Sequence, residues 1–137
     1  MKLFIALLVM ILFITACYNQ PTDTDVSEGK ISFITDKEFY NAIDTVNFTV
    51  VNNSDSLLII GLRCGGMLEM FYQIKEDSSW SENKFFDYMT LRCLTVIDTI
   101  KSKEKFSQSI PASDFKSSGT FRLVLNEDII SNAFIIN

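Results

Sequence analysis

From Thr45 to Asn52 the side chains alternate, with Val46, Phe48 and Val50 on one side and Asn47 and Thr49 on the other. A period of two is the signature of an extended strand with one face buried. Leu68 to Lys75 repeats it: Leu68, Met70, Tyr72 and Ile74 oppose Glu69, Gln73 and Lys75. So does Gly119 to Asn126, where Phe121, Leu123 and Leu125 alternate with Thr120 and Arg122. Leu57 to Leu62 is apolar almost throughout and predicts a central strand. Ile31 to Thr35, Leu94 to Ile100, Glu104 to Ile110 and Ala133 to Ile136 complete the set. Pro111 to Lys116 predicts a single helical turn that tucks Phe115 under a sheet. Past the first 16 residues no helical period is sustained, and there is no internal repeat. Short strands spaced about ten residues apart predict an all-β sandwich.

The N-terminal pattern is different. Lys2 precedes an unbroken apolar run, Leu3 to Ile14, which ends in Ile14-Thr15-Ala16-Cys17 and then turns polar at Asn19-Gln20-Pro21. A membrane-spanning helix needs about 20 apolar residues, more than this run supplies. The arrangement resembles the signal and lipobox of bacterial lipoproteins. The resemblance implies a signal peptide over residues 1–16, removed on export, and a mature chain that begins at a lipidated Cys17. The membrane is then the first partner, held through lipid on Cys17. Residues 17–29 read as that cysteine plus a tether too polar to bury a core, and residues 30–137 as one domain. Tyr18 stands where an Asp would mark inner-membrane retention, so in a two-membrane bacterium the resemblance implies the outer membrane.

Charge narrows the partners. Twelve basic residues against 17 acidic ones give a net charge of −5, and losing Lys2 makes the mature chain more acidic still. Nucleic-acid binding needs a basic patch for phosphates, so nucleic acid is not an expected partner. Nor does charge draw the domain onto anionic lipid. Three cysteines are present. With Cys17 assigned to lipid, Cys64 and Cys93 remain, and export favours a disulfide between them over two buried thiols. A metal site is disfavoured, because the chain has no CxxC and no histidine. Cys64 and Cys93 each flank an expected strand, so the bridge is expected to pin the loop between them more than the sandwich.

Without histidine the common proton shuttle at neutral pH is missing, and no Ser-Lys pair stands out as a nucleophile. No catalytic residue, no cofactor and no enzymatic activity are expected. Glu76, Asp77, Glu82 and Asp87 fit no calcium-loop spacing and read as solvated acids. Cys64-Gly65-Gly66 reads as a tight turn needing positive φ, without the Gly-Lys-Ser/Thr of a phosphate loop. The candidate binding patch lies in Trp80 to Met89, which carries the only Trp together with Phe85, Phe86 and Tyr88. Aromatics on a stapled loop offer contact area at low entropic cost. The competing reading places Trp80 and one Phe in the core; it is the favoured one for Trp80, and the loop as a whole stays open.

Three segments together resemble bacterial immunoglobulin-like domains. They are Asp36-Lys37-Glu38-Phe39-Tyr40 followed by Asp44 to Val50 and Asn52-Asn53-Ser54; the hairpin Glu76-Asp77-Ser78-Ser79-Trp80; and Gly119 to Leu123 with Ser131 to Ile136. Phe121 stands where the family more often has Tyr, and Lys101-Ser102-Lys103 replaces its usual Pro-Gly turn. The resemblance implies an immunoglobulin-like antiparallel sandwich of seven or eight strands, and transfers no activity. The expected function is a lipid-anchored, non-catalytic module binding a protein or glycan of the cell envelope. An inhibitor of an envelope or foreign hydrolase is the alternative, and a structural part of an envelope assembly is a third.

Overall fold

The computed structural model describes residues 30–137; the expected leader, Cys17 and the expected tether lie outside the described residues. In chain order the strands are β1 (Ile31–Thr35), β2 (Phe39–Tyr40), β3 (Thr45–Asn52), β4 (Leu58–Arg63), β5 (Met67–Leu68), β6 (Phe71–Glu76) and β7 (Ser79–Trp80). They continue as β8 (Lys84–Phe85), β9 (Thr95–Ile100), β10 (Lys105–Pro111), β11 (Gly119–Leu125), β12 (Ile129–Ile130) and β13 (Phe134–Ile136). Single 3-10 turns cover Asp87–Thr90 and Ala112–Phe115. Three sheets result: β1-β3-β10; β2-β13-β11-β6-β7, with β12 on β11 and β8 on β6; and β5-β4-β9. Every pairing is antiparallel except β2 with β13. The fold is an all-β sandwich, as the alternation requires.

Its core is built from the in-facing members of each alternating run. Val46, Phe48 and Val50 of β3 join Phe33 and Ile110, and face Tyr72, Phe121, Leu123 and Phe134 of the large sheet. The Ala112–Phe115 turn delivers Phe115, fully buried, to the centre. Its ring lies 5.1–5.5 Å from those of Tyr72, Phe86, Phe121 and Phe134, mostly edge-on. Edge-to-face contact is the favoured aromatic geometry.

One expected strand is divided. Leu68 to Lys75 runs out of the small sheet, where Leu68 pairs with Leu62, and into the large one, where Phe71 pairs with Val124. The alternation survives the crossing, since Leu68, Met70 and Tyr72 are all buried. At the crossing the Glu69 amide donates to the Gly61 carbonyl (2.7 Å), and the Glu69 carboxylate lies where a Cβ on Gly61 would stand (2.5 Å). A Cβ there would also come 2.9 Å from Thr95 Cγ2, so a larger residue would have to displace both side chains.

Polar side chains fix the corners. Asn52 is fully buried, yet its Nδ2 donates to Ser56 O and Ile100 O, and its Oδ1 accepts from Ser54 N and Oγ. Its whole hydrogen-bonding capacity is therefore used where β3 ends. The Tyr40 hydroxyl donates to Asp36 Oδ1 (2.6 Å), while Asn47 donates to the same carboxylate from N and Nδ2. Burial pushes the Asp36 carboxyl up, but these hydrogen bonds outweigh it and hold the group below its ordinary range. Burial and the bond to Asp36 push the Tyr40 phenol up to about 12.

Cys64 and Cys93 are joined, with Cα atoms 5.2 Å apart, inside the usual range for a disulfide. The turn after Cys64 has the positive φ expected, at Gly65 (72°) and at Cys64 itself (53°). One expectation needs correcting. The bridge does not close an appended loop, because the enclosed segment contains β5, β6, β7 and β8. β6 lies between β11 and β7 inside the large sheet. The covalent ring therefore passes through the core.

Candidate binding surface

The aromatic segment is split between inside and outside. Phe86 is fully buried, with its ring 4.8 Å from Tyr72 and 5.2 Å from Phe115. Tyr88 stacks on Phe86 (5.5 Å) and donates its hydroxyl to Leu68 O (2.6 Å). Burial first, then the nearby carboxylates of Glu69 and Asp114, push its phenol far above the ordinary value. Phe86 and Tyr88 thus leave the expected patch and belong to the scaffold. Phe85 is 60% exposed. Adjacent residues at a strand end point to opposite faces, which is why Phe85 and Phe86 part company.

Trp80 is also corrected, in the other direction. It is half-buried and lies outside the core cluster. Its partner across the hairpin is Lys75, and paired residues share a face. Since Tyr72 and Ile74 point inward, Lys75 and Trp80 point outward together.

On this outer face several side chains from the polar sides of the strands converge. Arg122 pairs with Gln73 across β11 and β6, and its Nε donates to Gln73 Oε1 (2.7 Å). Gln73 Nε2 donates in turn to Asn83 Oδ1 (2.9 Å). The Arg122 guanidinium lies 4.3 Å from the Trp80 ring centroid and Lys75 Nζ lies 5.8 Å from it. Two cations against one indole make a favourable contact of about 0.5–1 kcal/mol each where exposed. Farther along β6, Phe71 meets Phe85 edge-on at 5.0 Å. Trp80, Arg122, Lys75, Phe71 and Phe85 therefore share one side of β6 and its neighbours. Arg122 and Gln73 alternate correctly in the sequence, but only the strand order β11-β6-β7 brings them to Trp80.

Among the described residues no group of three or more Cys, Asp or Glu side chains is placed to hold a metal ion. Asp87 is instead paired with Lys116, and that hydrogen bond raises the Lys116 pKa.

No protein-family model matches the chain, and no curated protein is similar to it. Two solved structures of a β-glucosidase from Listeria innocua, with gluconolactone and with glucose, align with the chain at 13% identity and a TM-score of 0.42. The aligned region covers 78% of this chain and 16% of the β-glucosidase chain.

Proposed function

We propose that this chain is a lipid-anchored, exported, immunoglobulin-like module that binds a protein or glycan of the cell envelope without catalysing a reaction. The leader ending at Cys17 supports the anchor, and export suits the Cys64–Cys93 bond. The observation that carries the binding role is the Trp80–Arg122 pair on the outer face, braced through Gln73 to Asn83. Trp and Arg are the side chains that most often dominate binding energy. Here their conformations are set before a partner arrives, so less entropy is lost on binding. The neighbouring Phe85 extends the apolar area.

The test uses the mature chain with Cys17→Ser, labelled and titrated against envelope fractions. Protease treatment removes binding to a protein partner, and periodate oxidation removes binding to a glycan. Trp80→Ala and Arg122→Ala should each weaken binding about 30-fold, the size of a hot-spot loss of about 2 kcal/mol. Variants that bind as tightly as the parent chain would overturn the assignment of the surface.

A further inference from the structure

The small sheet carries a surface of a different kind. Among the described residues, six of the ten exposed large hydrophobic side chains, Leu57, Ile59, Leu91, Leu94, Val96 and Ile97, lie on β4, on β9 or beside them. Ile97 is 68% exposed and Leu94 85%. By register Ile59 pairs with Thr99 and so shares a face with Ile97, whereas Val96, opposite Leu62, and Leu94 turn to the other face; β9 thus exposes apolar side chains on both faces at the rim of the sheet.

Hydrogen bonds show which backbone groups of β9 point outward. Cys64 N donates to Leu94 O, so the even-numbered residues of β9 turn their backbone groups to β4. Glu69 N to Gly61 O agrees, since it turns the odd-numbered residues of β4 toward β5. Thr95, Ile97 and Thr99 therefore direct their N–H and C=O groups off the edge of the sheet. Of these groups, the Thr99 amide is covered by the Asp98 carboxylate (2.7 Å). An exposed edge of β-branched residues is a template for another strand.

We propose that β9 pairs with β9 of a second copy, antiparallel and centred on Ile97, joining two small sheets into one of six strands. Thr95-Val96-Ile97-Asp98-Thr99 is nearly palindromic about Ile97, as a two-fold interface requires. In this register Ile97 meets Ile97 and Thr95 meets Thr99, both favourable cross-strand pairs. Charge selects it against its neighbours. Centring on Asp98 sets two carboxylates face to face, whereas centring on Ile97 puts Asp98 opposite Val96 and its twin on the diagonal, about 7–8 Å away. Centring on Val96 leaves Thr99 opposite Cys93, outside the strand. In the pair, the Thr99 amide passes from Asp98 to the partner's Thr95 carbonyl.

The experiment is in-cell cysteine crosslinking of the full chain, under mild oxidation. In a hydrogen-bonded antiparallel pair the facing Cα atoms are about 5.5 Å apart, within reach of a disulfide. Ile97→Cys should therefore form a dimer. Thr95→Cys alone should not, because its twin lies four residues along the partner strand, but mixed Thr95→Cys and Thr99→Cys chains should crosslink. Ile97→Lys, by opposing two cations at the centre, should cut that mixed yield about tenfold. Asp98→Asn should raise it by removing the diagonal repulsion. The proposal is overturned if Ile97→Cys stays monomeric or crosslinks to a different protein. It is equally overturned if Thr95→Cys alone, or Phe39→Cys on the large sheet, dimerises as well as Ile97→Cys. The Trp80 variants are expected to leave these crosslinks unchanged, which keeps this proposal separable from the binding role of the other face.

Discussion

Removing the Cys64–Cys93 bond gives the sharpest test of how the fold is held. The two cysteines are 29 positions apart, so the chain-entropy relation gives about 3.6 kcal/mol at 25 °C. Where that energy acts depends on what the ring encloses. It contains β6, whose residues Phe71 to Ile74 pair with β11, and it contains the buried Leu68, Met70, Tyr72 and Phe86. Unfolding the enclosed segment alone would expose those side chains and strip β11 of a partner. The loss should therefore appear in global unfolding. For a domain of this size 3.6 kcal/mol corresponds to about 15 °C in Tm. Cys64→Ala/Cys93→Ala, compared with the parent by thermal melts and urea titration, should show that drop in one cooperative transition with the β spectrum retained. A shift below about 3 °C would refute the reasoning. So would a separate early transition confined to residues 64–93 by hydrogen exchange, because it would make the segment an independent loop.

The two adjacent phenylalanines should behave oppositely: Phe86→Ala should cost about 3–5 kcal/mol as a core truncation, and Phe85→Ala less than about 1 kcal/mol, both by urea titration. Stability should respond to pH at both extremes. Asp36 sits below its ordinary range, so its contribution is present above the unfolded carboxyl pKa and fades as pH falls through the folded value. Tyr40, raised to about 12, contributes fully below about 10, the unfolded value, and loses that contribution between there and 12. Asp36→Asn should flatten the acid limb and Tyr40→Phe the alkaline one in melts across pH. Cys17→Ser should yield an unprocessed or soluble protein, without acyl mass by intact mass spectrometry, that no longer enters the detergent phase; unchanged mass and partitioning would remove the anchor from the account.

The long strands were legible because alternation is a local signal: β3 spans Thr45–Asn52 and β1 Ile31–Thr35, as expected, and the other expected edges lie within one residue. The two-residue strands β8 and β12 leave no trace in the pattern, because a period cannot register in two positions, and β2 and β7 are reached only through the immunoglobulin-like resemblance. The change of sheet between Leu68 and Phe71 leaves the pattern intact and was invisible for that reason. The burial of Phe115 follows from a Pro-led turn, whereas the hydrophobicity of Trp80, which favours the core over the binding patch, does not decide its side. Its side is decided by Lys75 across the hairpin, a contact that depends on register. Arg122, Gln73 and Asn83 carried no mark of their own, since their meeting depends on non-local strand order.

The central claim is that the outer face around Trp80 is where a partner is held. Hydroxyl-radical footprinting of the Cys17→Ser mature chain, with and without the envelope fraction that retains it, tests this residue by residue. Side-chain oxidation of Trp80 and Phe85 should fall when the partner is present. Phe39, 61% exposed on the far strand of the same sheet, should be labelled equally in both. Unchanged labelling of Trp80 and Phe85 in a chain that is demonstrably bound would contradict the claim and move the site elsewhere on the domain.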